Sequence, residues 1–293
     1  MTSIKEPAPP SNHTAQVAEL YGFDAFSPEQ VAQRVRTTGL AKARLPFLSL
    51  AMLGVLAGAF IGLGALYFVL VASDPALGFA ASRVLGGVCF SLGLLLVVVA
   101  GAELFTGNNL LAIAWADSQL STGEVLYNWS VVCAANLVGA AGLAALVFLS
   151  GHASMNGGAI GRATLEIAAA KCSLPFWEAF FRGVLCNVLV CMAIWMTLAG
   201  RSVTDKLVAI VFPISAFVAA GFEHSIANMY LIPLAILLKA AGWVLPAGGE
   251  AIGWTGLARN LFPVIAGNLV GGSVLVALVY YVIYRRAAGR LNP

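Results

Sequence analysis

Charge is what this sequence has least of. Only 10% of its 293 residues are Asp, Glu, Lys or Arg, against 60% hydrophobic, and so few charges cannot clothe a water-soluble domain. Cysteine is scarcer still. Cys89, Cys133, Cys172, Cys186 and Cys191 are scattered, with neither metal-site spacing nor a disulfide framework, so they read as free, small hydrophobes. No metal or cofactor is expected. The net charge of +3 is a topology signal rather than a nucleic-acid one. The first 46 residues are polar and mixed, without the apolar stretch of a signal peptide. What is abundant is the long apolar run, the mark of a polytopic, all-α membrane protein.

Two of these runs are too long. Residues 207–238 contain only Glu223, His224 and Tyr230 as ionisable side chains, yet a straight helix of that length would reach about 48 Å against a hydrocarbon core of about 30 Å. The polar insert Gly221-Phe-Glu-His-Ser-Ile-Ala-Asn-Met-Tyr230 marks a break in a transmembrane helix. Residues 84–116 repeat the pattern around Gly101-Ala-Glu-Leu-Phe-Thr-Gly-Asn108. The shared form is G-x-E-x-x-x-x-N: Gly101, Glu103 and Asn108, then Gly221, Glu223 and Asn228, 120 residues on. Asn136-Leu-Val-Gly139 likewise recurs as Asn268-Leu-Val-Gly271.

Six spans are therefore expected, at about 47–72, 84–116, 128–150, 176–199, 207–243 and 262–284, with the second and fifth broken. Three spans per half make an inverted-topology repeat, residues 47–150 and 176–287, with the two breaks meeting near the midplane. The channel domain is 47–287, preceded by a segment 1–46 and followed by a tail 288–293. Ten Lys and Arg fall on the side of the termini and six on the other, which places both termini in the cytoplasm and the chain in the inner membrane.

Residues 1–20 read as loosely ordered. Ser27-Pro-Glu-Gln30 is a helix start with a capping box, and the amphipathic helix that follows reads as an interfacial anchor in preference to a gate. Gly54, Gly58, Gly62 and Gly64, with Gly139, Gly142, Gly267, Gly271 and Gly272, present small-residue ridges for close helix packing or a subunit interface. At each break the second half-helix begins with orphan N–H groups inside the membrane. Glu103 and Glu223 are expected to accept those bonds, a role preferred to a paired-carboxylate proton relay, with Thr106, Asn108 and Asn228 nearby. His224 has no symmetric partner, since Leu104 stands in its place in the first half, and that asymmetry marks it as functional.

Leu85-Gly-Gly-Val-Cys-Phe-Ser-Leu-Gly-Leu94, Gly101-Ala-Glu-Leu-Phe-Thr106, Gly200-Arg-Ser-Val-Thr-Asp-Lys206 and Gly221-Phe-Glu-His-Ser-Ile-Ala-Asn-Met229 resemble the signatures of the formate/nitrite transporter family, most closely its formate channels, over residues 20–287. The resemblance implies an aquaporin-like protomer, a homopentamer in the lipid bilayer, and an anion pathway through each subunit. It places the family's central histidine on His224, its threonine on Thr106, an asparagine on Asn187 and a vestibule lysine on Lys171. One apolar constriction falls on Leu94, Leu104 and Phe105, the other on Phe90 and Phe217. Glu103 and Gly107 depart from the aspartate and serine of some formate channels, and the Glu-Leu-Phe-Thr-Gly form also resembles nitrite-type members.

Passage of formate is the expected function, with nitrite or hydrosulfide as the alternatives inside the family. A bare anion in such constrictions would cost several kcal/mol, and protonating a carboxylate of pKa about 3.7 at pH 7 costs roughly 4.5 kcal/mol. Titration of His224 is the expected proton source, with Lys171 concentrating the anion beforehand. A neutral-solute pore lacks its paired Asn-Pro-Ala turns here. An intramembrane hydrolase would need His224 to activate the adjacent Ser225, without a third orienting group; a non-enzymatic transporter is expected instead.

Overall fold

The computed structural model describes residues 25–286. The loose order expected of residues 1–20 and the tail 288–293 lie outside the described residues. Within them every regular element is helical.

Helix α1, Pro28–Ala43, starts as its sequence dictates: the Ser27 hydroxyl accepts from the Gln30 N–H, the Gln30 side chain accepts from the Ser27 N–H, and Pro28 opens the first turn. Its position differs from the interfacial anchor expected above. Val31, Ala32 and Val35 are buried against Leu110, Ile113, Trp195 and Val276, and the Phe26 N–H donates to the Ala199 carbonyl at 3.0 Å. The apolar face that could have entered lipid is taken by the protein's own body, which offers closer packing.

Among the described residues five helices are long and apolar enough to cross a membrane: α2 (Phe47–Ala72), the stretch Phe79–Gly101 that contains α3 (Phe79–Leu96), α6 (Thr122–Leu149), α8 (Phe176–Thr197), and Trp254–Tyr284, which contains α11 (Trp254–Leu269). Helices α6 and α11 start several residues before the apolar spans expected at 128 and 262, α6 through a Ser121–Glu124 capping box. The helical path from α3 ends in a wide turn at Gly101, runs extended through Leu104, and resumes as α4 (Phe105–Asn108), a tight turn and α5 (Ala112–Ala116). In the second half α9 (Val203–Ala219) ends near Gly221, and α10 (Ser225–Ala240) begins after an extended His224. Gly101 and Gly221 sit at φ +86° and +73°, the left-handed region where a side chain would be strained.

Packing repeats as well. Helix α2 lies on α3 and α6, α8 lies on α9 and α11, and α3 crosses α9. Glycine makes the first two contacts backbone-close: a Cβ on Gly64 would stand 2.6 Å from the Phe90 oxygen of α3, and one on Gly58 2.0 Å from the Asn136 oxygen of α6. Gly267 and Gly271 meet Phe180 and Val184 in the same way. Gly58, Gly139, Gly267 and Gly271 are thus spent inside the subunit, while a Cβ on Gly142 would meet nothing. One helix was not foreseen: α7, Met155–Cys172, whose regular part follows a left-handed turn at Asn156, Gly157 and Gly158, and which ends beside Lys171.

Candidate functional site: a sealed histidine–threonine centre between two cationic cavities

Each interruption is closed by an asparagine from a neighbouring helix. The Asn136 Oδ1 accepts from the Phe105 N–H at 2.9 Å, while its Nδ2 donates to the carbonyls of Glu103 (2.9 Å) and Gly54 (2.7 Å). Asn268 does the same 132 residues later, accepting from Ser225 at 3.1 Å and donating to Glu223 (3.0 Å) and Gly183 (2.8 Å). The job expected of Glu103 and Glu223 thus belongs to Asn136 and Asn268. The sequence carried the signal in its repeated Asn-Leu-Val-Gly; an amide suits the task because it donates to freed carbonyls as well as accepting from an orphan N–H, which a carboxylate cannot do.

The carboxylates face the other way, toward side chains. Glu103 is buried and pairs with Lys42 at 2.9 Å; its other oxygen accepts from Asn108 at 2.7 Å, and Asn108 donates to Asn128 at 3.0 Å. Glu223, equally buried, pairs with Lys171 at 2.8 Å and accepts from Asn228 at 2.7 Å, and Asn228 donates to Asn260 at 2.7 Å. Lys42 comes from α1 and Lys171 from α7, so the two surface helices are counterparts. Lys42, Asn128 and Asn260 were not singled out from sequence, because they lie outside the interrupted runs. One difference breaks the likeness: Lys42 also donates to Asn108 Oδ1 at 3.2 Å, whereas Asn228 Oδ1 accepts from nothing among the described residues.

Between the breaks, His224 Nε2 lies 3.1 Å from Thr106 Oγ1, both fully enclosed. The Ala227 N–H donates to His224 Nδ1 at 3.2 Å, so His224 is itself the cap of α10, and its ring proton belongs on Nε2, pointing at Thr106. Asn187 does not reach the imidazole. It lies behind the pair, donating to the carbonyls of Thr106 (3.2 Å) and Asn268 (2.7 Å) and to Asn109 Oδ1 (2.7 Å). Both histidine nitrogens are engaged without Ser225, which leaves no nucleophile–base pair for hydrolysis.

Apolar side chains seal this centre. Phe217 stacks on His224 with centroids 5.8 Å apart, and Phe90 meets Phe217 edge-on at 5.6 Å. Leu94, Leu104 and Phe105 are buried in the same core. A cavity of about 190 Å³ lies on one side, lined by Phe90, Phe217 and His224 with Lys171, Arg83 and Arg182. A second, of about 490 Å³, has Leu104 and Glu103 on its walls with Lys42 and Lys206, and α1 contributes Val35, Thr38 and Gly39. Lys171 is thereby a cavity residue in ion-paired form, not a free loop cation.

Comparison with known proteins shows the family. The signature of the formate/nitrite transporter family matches residues 29–282. The formate channel FocA of Escherichia coli K12 is 37% identical over 276 residues, covering 90% of this chain and 96% of its own. A probable formate transporter of Methanothermobacter thermautotrophicus is 36% identical, covering 90% and 98%. Among solved structures, a pentameric formate channel with formate bound superposes with a TM-score of 0.75 at 35% identity, over 81% of this chain and 97% of that one. With its apolar helices, its cavities to either side of a sealed centre and relatives that are channels and transporters, this chain is a multi-pass membrane protein and belongs to the formate/nitrite transporter family.

Proposed function

We propose that this protein conducts small monovalent weak-acid anions, formate foremost, one pathway per subunit, through six crossings arranged as two inverted three-helix repeats with the second and fifth broken. The observation that carries the reading is the Thr106–His224 pair, the polar contact at the middle of an apolar seal with a cationic cavity on each side. The twofold correspondence of Asn136 with Asn268 and of Lys42–Glu103 with Lys171–Glu223 supports the repeat. The termini lie in the cytoplasm, on the excess of Lys and Arg.

His224 works here as a neutral donor. An imidazolium would turn Nδ1 into a donor facing the Ala227 N–H, forfeiting the cap of α10. The proton that neutralises the weak acid is therefore taken up in the Lys171 cavity, before the Phe90–Phe217 rings, where roughly 4.5 kcal/mol for protonation competes with the several kcal/mol of carrying a bare charge into the seal. Lys171 draws the anion there, having donors beyond the one given to Glu223. Nitrite stands as the second reading, because Glu103 and Gly107 both line the opposite cavity in the form that nitrite-type members share.

The test is formate uptake into proteoliposomes over a pH series, for the parent and His224→Asn. Asparagine is a strong N-cap and retains a donor, so the variant is expected to assemble and to keep acid-stimulated uptake at a reduced maximum. Loss of the acid stimulation with assembly intact would move the proton source back to the imidazole. A parent without anion-selective flux would sink the channel reading altogether. Assembly as a homopentamer is expected from the pentameric relative. Native mass spectrometry in detergent checks it, and a stable monomer or dimer as the main species would contradict it.

A further inference from the structure

The connection between α6 and α7 carries a histidine that the conduction pathway does not use. His152 opens a tight turn, His152–Ser154, after a left-handed Gly151 (φ +72°), and a second left-handed turn at Asn156, Gly157 and Gly158 leads into α7. The residue is part-exposed, but its Nε2 is buried and has no hydrogen-bond partner among the described residues. His152 lies on the wall of a cavity of about 10 Å³ whose other sides are aliphatic, apart from two hydroxyls, those of Thr164 on α7 and Tyr230 on α10. Both of these residues are almost wholly enclosed. Thr164 Oγ1 donates to the Ile160 carbonyl at 2.9 Å, so it has only lone pairs left to offer, and the Tyr230 hydroxyl makes no hydrogen bond among the described residues.

An unpaired Nε2 in such a place costs about 1–3 kcal/mol. A cavity of about 10 Å³ is the least room that admits one water, and three polar groups suit one.

We infer that this cavity is a binding site for a single water molecule, and that the water latches the 151–158 segment to α10. One arrangement completes the bonding: the Tyr230 O–H donates to the water, and the water donates to Thr164 Oγ1 and to an unprotonated His152 Nε2, whose ring proton then belongs on Nδ1. Charging the imidazole breaks the set. Nε2 becomes a donor, and the water accepts twice and keeps one hydrogen without an acceptor. No carboxylate offsets the charge: α2, α6 and α7 present no ionisable side chain to the cavity, α10 presents Tyr230 alone, and Arg162, on the same turn, donates to the Gly157 carbonyl at 2.9 Å. An unpaired buried cation costs more than the water's bonds return, so acid releases His152 and the segment with it. Tyr230 stands six residues after His224 on the same helix, and the latch therefore bears on α10 without touching the anion.

Hydrogen exchange of the 151–158 amides in the detergent-solubilised full chain, corrected for the intrinsic effect of pH, tests it. In the parent the corrected rate should rise about three- to tenfold between about pH 7.5 and about pH 5.5, where imidazoles change charge. His152→Gln supplies an uncharged amide and should exchange alike at both pH values. Tyr230→Phe loses only the donor to the water, and should exchange faster than the parent at the higher pH, with assembly checked by size-exclusion chromatography. A parent whose corrected rate ignores pH, or a His152→Gln variant that keeps the parent's dependence, overturns the latch. A density map fine enough to show ordered water should place one within hydrogen-bond distance of His152 Nε2 and Tyr230 Oη, and a dry cavity in that map overturns the site. None of these readouts uses formate flux, so failure of the latch leaves the channel reading in place.

Discussion

Asn268→Leu should prevent recovery of the assembled protein. The side chain serves three buried backbone groups at once, the Ser225 N–H and the Gly183 and Glu223 carbonyls, and leucine, close in volume, serves none. An unsatisfied buried group costs about 1–3 kcal/mol, so the loss is on the order of 3–9 kcal/mol, comparable with the 5–15 kcal/mol of a whole domain. Asn268→Asp keeps the acceptor for Ser225 but loses both donations, and it should be destabilised almost as strongly. Detergent size-exclusion profiles and thermal unfolding are the measurements. An Asn268→Leu protein with parental elution and Tm would show that the second interruption is held by something else. Asn136→Leu carries the same expectation for the first.

The second large effect is at Lys171. On sequence alone its removal means a lost attraction for the anion, felt in half-saturation. Paired at 2.8 Å to a buried Glu223, it does more. Lys171→Ala unmasks a carboxylate on the cavity wall and turns a field that draws anions into one that repels them. Breaking a buried pair from one side costs about 3–5 kcal/mol, and because Lys171 retains some exposure the lower end applies. The expected result is reduced assembly together with at least a tenfold rise in half-saturation, a rough figure that follows from the reversed field. Lys171→Ala/Glu223→Gln removes both charges and keeps an acceptor for Asn228. It should restore assembly and most of the maximum flux, with half-saturation between the parent and the single variant. If the double variant is no better than the single one, the damage lies in the lost lysine and not in the exposed carboxylate.

Length and composition decided the class before any coordinates. Runs too long for one span, each holding glycine, glutamate and asparagine at the same spacing, located both interruptions, because a break inside an apolar helix has to bring its own flexible joint and polar groups. His224 stood out by lacking a counterpart, and it was the family resemblance that named Thr106 as its neighbour; their side chains lie 3.1 Å apart. The repeated Asn136 and Asn268 were visible too, but which backbone groups they serve was not.

What only the tertiary structure decided is who partners whom. The equivalent lysines are 129 residues apart, the glutamates 120 and the capping asparagines 132, so the repeat drifts through several registers and no single offset aligns it. Lys42 therefore looked like part of a basic surface helix, and Lys171 like a loop cation, until folding laid α1 and α7 against the two breaks. The tautomer of His224 was equally out of reach, since it follows from Ala227 pointing its N–H at Nδ1. Periodicity and composition specify where a chain is apolar and where it breaks. The pairing of buried charges, Lys42 with Glu103 and Lys171 with Glu223, depends on contacts across 61 and 52 residues of sequence, which the packed helices alone set.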